Sequence, residues 1–122
     1  MTQLRKVSSG SPYESMVGYS RAVRTGPHIV VAGTTAPGDD ITAQTWEVLR
    51  RIEIALQEVG ASLADVVRTR MYVTDISLWE QVGAVHAEVF GEIRPVTTMV
   101  EVAALIAPEL LVEIEVDAYR EA

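Results

Sequence analysis

Hydrophobic and polar residues alternate along two segments in the last third of the chain, residues 94–120. The second segment places Val112, Ile114, Val116 and Ala118 on one face and Glu113, Glu115, Asp117 and Tyr119 on the other. The first segment separates Val96, Thr98, Val100 and Val102 from Thr97, Met99 and Glu101 in the same way. This period of two predicts strands with one buried face. Pro108 cannot donate a hydrogen bond within a sheet, so it marks the connection, and we interpret the segments as an antiparallel pair.

Three earlier segments also predict strands. They are residues 19–24, 28–32 and 65–75, and the first two are expected to form a hairpin across Thr25-Gly26-Pro27. In the third, Val67, Thr69, Met71 and Val73 face one way and Arg68, Arg70, Tyr72 and Thr74 face the other. Its alternation is typical of a central strand. The polar residues 1–12 are expected to include one short edge strand.

One long segment carries apolar residues at helical spacing. In residues 42–59 the apolar stripe comprises Val48, Leu49, Ile52, Ala55, Leu56 and Val59. Asp40 or Thr42 is expected to accept hydrogen bonds from the first free amides of this helix, and Gly60 suits its end. Trp46, near the start, favours packing over ligand stacking.

A second helix is predicted from Ser77 to the residue before Gly91. Its stripe comprises Leu78, Val82, Val85 and Val89. Ser77 and Glu80 have the spacing of a capping box, in which each side chain bonds to a backbone amide of the first turn. His86 lies at the border of the stripe and is interpreted as a packed or solvated histidine.

The order of elements is therefore strands, helix, strand, helix, strands. This order predicts an α+β fold in which a single mixed β-sheet is covered on one face by two α-helices. One domain, residues 1–122, accounts for the chain. The other face of so small a sheet must be polar or covered by another copy, and the valine-rich strands favour a cyclic assembly.

Composition limits the chemistry. The 122 residues contain no cysteine, which excludes disulfides and thiolate nucleophiles and suits the cytoplasm. His28 and His86 stand far apart without a ligand motif around them, so a dedicated metal site is not expected. The formal net charge of −7 disfavours nucleic-acid binding. No apolar run is long enough to span a membrane.

Three carboxylates share the polar face of the last strand. Glu113, Glu115 and Asp117 follow one another at roughly 7 Å along a strand. In a desolvated cleft, burial and like charge would raise a carboxyl pKa and suit it to general acid or base catalysis. The alternative is a solvated face balanced by Arg68 and Arg70 on a neighbouring strand, which is the commoner arrangement.

A series of short motifs is similar to those of the Rid (reactive intermediate deaminase, YjgF-like) family. They are Gly18-Tyr19-Ser20-Arg21-Ala22-Val23, Val31-Ala32-Gly33-Thr34, Gln44-Thr45, Gly60, Ala64-Asp65-Val66-Val67-Arg68-Thr69, Tyr72-Val73-Thr74-Asp75, Phe90, Pro95, Val100-Glu101-Val102 and Val112-Glu113-Ile114-Glu115-Val116-Asp117-Ala118. Because their order and spacing match together, the chain is identified as a member of this family.

The resemblance implies a chorismate-mutase-like fold and a homotrimer with small-molecule clefts between subunits. It also implies hydrolysis of reactive enamines and imines without metal or cofactor. Glu113 corresponds to the glutamate that positions a water, and it is the expected catalytic residue. Tyr19 and Gly33 correspond to cleft residues. Thr34, Thr97 and Met99 complete the expected substrate-binding set.

The sequence departs from the resemblance at Thr97. Active deaminases of the family carry an arginine at this position of the motif, where its guanidinium clamps the substrate carboxylate. A threonine hydroxyl supplies neither the charge nor the two-pronged donor. The departure predicts little activity on 2-aminoacrylate or 2-iminobutyrate. Arg21 or Arg94 remains an alternative source of the charge, although arginines beside turns and strand ends are usually solvated.

Three functions follow from these observations. The first is a cofactor-free hydrolase, or deaminase, of an imine, enamine or related metabolite that lacks the usual carboxylate. The second is a non-catalytic module that binds a metabolite or docks on another protein. The third, less favoured because of the negative charge, is an endoribonuclease. Glu113 favours the first function, and the loss of the arginine at Thr97 favours the second.

Overall fold

The computed structural model describes residues 4–121, so the first three residues of the predicted N-terminal segment lie outside it. Its strands are β1 (Leu4–Val7), β2 (Ala22–Thr25), β3 (His28–Thr34), β4 (Val66–Val73), β5 (Val96–Glu101) and β6 (Val112–Tyr119). Its α-helices are α1 (Pro12–Val17), α2 (Ile41–Glu58) and α3 (Trp79–Phe90). The strands form one sheet in the order β1-β2-β3-β6-β4-β5. Only the neighbours β4 and β5 run parallel, so the sheet is mixed as predicted.

Helices α2 and α3 pack on one face of the sheet, which confirms the predicted α+β layers. The core between the layers is apolar and includes Ile29, Val31, Met71, Ile114 and Val116 from strands and Val48, Ile52, Leu56, Val82 and Val85 from helices. Burying a side chain of this size stabilises the fold by about 1.5–3 kcal/mol. The helical stripe and the buried strand faces predicted from the sequence thus meet in one core.

The pairing predicted for the last third of the chain is wrong. β5 lies at the edge of the sheet and pairs in parallel with β4, whereas β6 enters between β3 and β4. A parallel pair needs a crossover, and α3 supplies it between β4 and β5. Alternation separates the two faces of a strand but carries no information about its partner. The buried face predicted for β6 is right. The one predicted for β5 is wrong, because Val96 and Val100 are exposed on the other side of the sheet, whereas Met99 packs against the core.

A β-bulge reorients one predicted core residue of β4. The register against β6 shifts between Val66 and Arg68, so that Val66 is buried and Val67 is half exposed. A bulge inserts one residue and reverses the alternation on its near side. Thr69, Met71 and Val73 are buried as predicted.

Helix α2 begins and ends as its sequence indicates. The Asp40 side chain accepts a hydrogen bond from the Ala43 amide at 2.8 Å, which confirms the first of the two predicted caps. Gly60, just beyond the helix, has a φ of +79°, a conformation that glycine adopts without strain. The packing predicted for Trp46 is wrong, because its side chain is 46% exposed. Its position near the start of the helix did not indicate whether the side chain faces the core or the solvent.

Ser77 does not cap α3 as predicted. The helix begins at Trp79 after one 3-10 turn, Ile76–Leu78. The Asp75 carboxylate accepts hydrogen bonds from the Ser77 amide at 3.0 Å and from its hydroxyl at 2.7 Å. An aspartate two residues ahead of a free amide competes effectively for it, and this explains the difference.

Helix α1 was not predicted from the sequence. Ser11 accepts from the Tyr13 amide, Pro12 takes the first helical position, and Gly18 ends the helix with a φ of +91°. Serine, proline and glycine at these positions are ordinary signals of a short helix. Within residues 4–121, no helix has the length and the apolar character needed to cross a membrane.

The face of the sheet opposite α2 and α3, which we call the open face, combines valines with an ionic network. Val23, Val30, Val96 and Val100 lie on it by register. Arg70 lies 4.0 Å from Glu115 and 3.6 Å from Asp117, and the Tyr72 hydroxyl donates a hydrogen bond to Glu115. The balancing role predicted for Arg70 is therefore confirmed for two of the three carboxylates.

Candidate functional site

Glu113 is the carboxylate that the ionic network leaves out. It extends from β6 toward the open face, directly opposite Tyr72 in the register. Among residues 4–121 it makes no hydrogen bond or ion pair, whereas Glu115 and Asp117 share Arg70. A half-buried carboxylate without such a partner is free to bind water or a ligand.

The backbone of Gly33 lies directly beside the Glu113 carboxylate. β3 has a bulge at this point, where its register against β6 shifts between Val31 and Thr34. A Cβ atom added to Gly33 would lie 3.0 Å from Cδ of Glu113 and closer still to Oε2. Only glycine leaves room for the carboxylate here.

Burial raises the pKa of the Glu113 carboxyl above its ordinary value of 4.5. The nearby charge of Glu115 also raises this pKa, and the charge of Arg21 lowers it. A carboxyl whose pKa moves toward neutrality is better matched to proton transfer at physiological pH. The geometry and the electrostatics of Glu113 thus agree with a general base.

Arg21 connects the other predicted cleft residues. Its Nη1 donates to the Gly33 carbonyl at 2.9 Å and to the Thr34 hydroxyl at 3.0 Å. Its Nη2 donates to the Tyr19 hydroxyl at 3.4 Å. The structure therefore brings Tyr19, Gly33, Thr34 and Glu113 together within one protomer.

These residues form the floor of a cleft of about 870 Å³. Its walls come from residues 8–11, from α1, from α2 and from residues 106–110. Several wall residues are apolar and partly exposed, namely Tyr13, Val17, Ile54 and Ile106. A concave site with a small polar floor and apolar walls is typical of small-molecule binding. No group of three or more His, Cys, Asp or Glu side chains in the described range is placed to hold a metal ion.

Thr97 and Met99 are not brought to this cleft within the protomer. Both lie on the helix-facing side of the edge strand β5, opposite Thr69 and Met71. The Thr97 hydroxyl is 2.8 Å from that of Thr69 and 3.5 Å from Nε2 of His86. Burial lowers the pKa of His86, so its imidazole is neutral at pH 7. These two predicted substrate-binding residues belong to a separate part of the surface.

The two alternative arginines have different positions. Arg94 is exposed, and its Nε donates to the Gly91 carbonyl at 3.0 Å, outside the cleft. Arg21 lines the cleft, and its side chain is only 11% exposed. The expectation that both arginines are solvated is therefore wrong for Arg21, because the bulge of β3 offers its guanidinium fixed acceptors.

Glu14 is a buried neighbour of the cleft residue Arg21 that was not predicted from the sequence. It is 7% exposed, lies 3.9 Å from Nε of Arg21, and accepts hydrogen bonds from the Ser9 amide and hydroxyl. Burial would raise the pKa of Glu14, but the bonds from Ser9 and Ser8 and the charge of Arg21 outweigh it and hold that pKa below 4.5. The spacing from Ser11 to Glu14 is that of a capping box, a signal present in the sequence.

Comparison with known proteins agrees with this architecture. Residues 10–120 match the family described as "Endoribonuclease L-PSP". The crystal structure of Rv2704 from Mycobacterium tuberculosis, described as a member of the YjgF/YER057c/UK114 family, superposes with a TM-score of 0.96 and 72% identity. That match covers 97% of this chain and all of the other. The chain belongs to the Rid (YjgF) family.

This Rid-family chain is also similar to two curated proteins. It is 40% identical to the uncharacterized protein SCO2049 of Streptomyces coelicolor, over 96% of this chain and 92% of the relative. It is 37% identical to the 3-aminoacrylate deaminase RutC of Acinetobacter baylyi, over 62% of this chain and 59% of that protein. Family membership and fold are thus shown, and the substrate of this Rid-family member is a separate question.

Proposed function

We propose that this protein is a metal- and cofactor-free hydrolase of imines, enamines or related small metabolites. The observation that carries the proposal is Glu113, a half-buried carboxylate that has no hydrogen-bond or ion-pair partner among the described residues and lies against Gly33 at the floor of a cleft. Its raised pKa suits a general base. The partial match to a deaminase named for 3-aminoacrylate supports the same reaction class.

The proposed reaction adds water to a carbon–nitrogen double bond. Glu113 accepts a proton from the water as the water oxygen bonds to the imine carbon, and it passes this proton to the imine nitrogen. In the resulting carbinolamine, Glu113 moves the hydroxyl proton to the amino nitrogen as the carbon–nitrogen bond breaks, which yields a carbonyl compound and ammonia and leaves Glu113 as it began. Tyr19 and the Thr34 region shape the pocket around the reacting atoms. An enamine enters the same sequence after tautomerising to the imine.

We place the complete site in a homotrimer, in clefts between subunits. The open face supports this arrangement, since Val30, Val96 and Val100 are each between 41% and 59% exposed on one sheet face. The position of Thr97 and Met99 on an edge strand also supports it, because a neighbouring protomer can bring them to the Glu113 cleft. A homotrimer in light scattering is the expected result. A monomer that stays active would contradict the intersubunit cleft.

The substrate differs from that of the arginine-bearing deaminases. Thr97 offers one neutral hydrogen bond where a charged two-pronged contact is worth about 1.5–3 kcal/mol. We therefore expect poor activity on 2-aminoacrylate and 2-iminobutyrate and better activity on imines without an α-carboxylate. With such a substrate, the Thr97 hydroxyl donates a hydrogen bond to a neutral group or accepts one from it.

The assay compares two classes of imine at matched concentration. A threonine dehydratase supplies 2-iminobutyrate, and an amine oxidase supplies imines from amines that carry no carboxylate. Faster ammonia release is expected for the second class only, and Glu113→Gln should abolish it while the assembly stays intact. If no imine of either class is hydrolysed faster than in buffer, the proposed reaction is wrong.

The second candidate is a metabolite-binding or protein-docking module without chemistry, and the absence of a family arginine at Thr97 favours it. In that case Glu113→Gln would change ligand affinity, and neither the wild type nor the variant would show turnover. Ribonuclease activity is the third possibility. It requires RNA cleavage that persists in EDTA and disappears in Glu113→Gln, since a contaminating nuclease would ignore that substitution.

A further inference from the structure

We propose that Arg21 positions the Glu113 carboxylate and does not anchor the substrate. The inference rests on the proposed function, because it assigns a role within the same cleft. Its basis is that one guanidinium holds the bulge of β3 on one side and the region of α1 on the other. Arg21 is therefore a positioning residue rather than a catalytic one.

The first contact surface of Arg21 is the bulge. The two N–H groups of Nη1 match two acceptors, the Gly33 carbonyl and the Thr34 hydroxyl. The Thr34 hydroxyl donates in turn to the Ala32 carbonyl at 2.8 Å. The backbone carbonyl of Arg21 also accepts from the Ala32 amide at 2.9 Å. Main chain and side chain of Arg21 thus fix the same three residues, 32–34.

The second contact surface is Glu14 of α1. Nε of Arg21 lies 3.9 Å from Oε2 of Glu14, and both side chains are about nine-tenths buried. Glu14 is held by Ser9, which belongs to the wall of the cleft. The Arg21–Glu14 pair therefore holds the cleft wall at Ser9 against the cleft floor at the bulge of β3. It also balances the charge of Arg21 inside the protein, so a substrate carboxylate would have to compete with a buried one.

The bulge of β3 links Arg21 physically to Glu113. Gly33 receives the Arg21 hydrogen bond on its carbonyl, and the Glu113 carboxylate occupies the space that a side chain at Gly33 would need. Without the Nη1 donors, the Gly33 carbonyl and the Thr34 hydroxyl lose their partner, and the bulge is free to rearrange. The carboxylate that rests on the bulge then loses its fixed orientation, which in catalysis costs more in kcat than in KM.

The ligand-free protein allows a test that needs no substrate. The side-chain carboxyl of Glu113 is titrated by carbon NMR in the wild type, Arg21→Gln, Arg21→Lys and Arg24→Gln. Arg24 is the matched control, because it also binds backbone carbonyls, those of Gly26, Val59 and Arg120, but lies outside the cleft.

We expect Arg21→Gln to raise the Glu113 midpoint by on the order of 0.5–1 pH unit and to move the Gly33 and Thr34 amide resonances. Arg21→Lys keeps the charge but cannot bridge two acceptors, so it should move the same amides with a smaller change of midpoint. Arg24→Gln should change neither. The other titratable groups around Glu113 are Glu115, Tyr72, Tyr13, Tyr19, Arg51, Glu58 and Glu109, and all the variants share them.

A matched pair of ligands separates positioning from anchoring. 2-Oxobutanoate carries a carboxylate and 2-oxobutanamide replaces it with a neutral amide of the same shape. For a positioning residue, Arg21→Gln changes the affinity for both ligands by the same factor. A tenfold or greater loss for 2-oxobutanoate alone would assign Arg21 to the substrate and overturn the proposal.

The proposal is also overturned if Arg21→Gln and Arg21→Lys both fold with an unchanged Glu113 midpoint and unchanged Gly33 and Thr34 amides. These outcomes are independent of turnover. A protein that hydrolyses no imine can still show the coupling between Arg21 and Glu113, and a true hydrolase can lack it. Failure of the inference and failure of the proposed function are therefore distinguishable.

Discussion

At the scale of single residues, Gly33 gives Glu113 different surroundings from Glu115 and Asp117. The alternation along β6 places all three carboxylates on the same face. Asp117 and Glu115 lie beside Arg70, but Glu113 meets the bulge at Gly33 and remains without a cationic partner in the part of the chain that the structure describes. Burial then dominates the pKa of Glu113. The chemistry of the strand is thus decided by a neighbour on β3 rather than by spacing along β6.

Gly33→Ala should displace the Glu113 carboxylate, because the added methyl group would lie 3.0 Å from its Cδ. We expect imine hydrolysis to fall by at least about tenfold, as misplaced catalytic groups commonly cost that much. The assay of ammonia release measures it. Gly83→Ala is the control, since the nearest atom there is 3.9 Å away in Trp79. That control should remain active and gain about 0.5–1 kcal/mol from helix propensity. Equal activity of both variants would contradict the contact.

Thr97→Arg should restore recognition of carboxylates if Thr97 faces a neighbouring subunit's cleft. A charged two-pronged contact is worth about 1.5–3 kcal/mol, so kcat/KM for 2-iminobutyrate should rise roughly 10- to 150-fold. Thr97→Lys, which adds charge without the planar fork, should gain less. No gain in a variant that still forms trimers would mean that the edge of β5 does not contribute to the site.

At the scale of elements, helix α2 depends on a single side chain for its start. Asp40→Ala removes the acceptor of the Ala43 amide and should lower the free energy of unfolding by about 1 kcal/mol. Asp39→Ala, next to it, removes the same charge without touching a cap in this structure and should have a much smaller effect. Urea denaturation of both variants measures the difference. Similar losses in the two would indicate a general charge effect.

Element positions were predictable because they depend on local patterns, and their partners were not. The alternation in β6 correctly gave its buried face, whereas in β5 the valines lie on the open face and Met99 packs against the core. Neither pattern gave a sign that β6 would insert between β3 and β4. The bulges at Val67 and Gly33 interrupt alternation only in the folded sheet. Of the site, Glu113, Tyr19, Gly33 and Thr34 followed from the family resemblance. Glu14 and the role of Arg21 depend on a contact between distant segments that periodicity does not report.

At the scale of the whole molecule, Glu113 links the site to stability. Burial raises its pKa above 4.5, so the native protein binds this proton more tightly than the unfolded chain does. Its contribution to stability is therefore full at low pH and falls as pH rises above about 4.5 toward the native pKa. Glu113→Gln removes this dependence and should raise the melting temperature at pH 7 but not at pH 4. Thermal unfolding at both pH values checks it, and a variant equally stable to the wild type at pH 7 would contradict the burial of the charge.

The central place of β6 has a consequence for biosynthesis. β1 to β3 and β4 with β5 are joined in the sheet only through β6, which is made last among the strands. A ribosome that has released residues 1–111 therefore presents two unfinished half-sheets with exposed edges. Strand pairings between distant segments form slowly, and open edges attract other chains. We therefore expect these edges to stay unpaired in the nascent protein until residues 112–119 emerge, and the strand that closes the gap is the one that delivers Glu113.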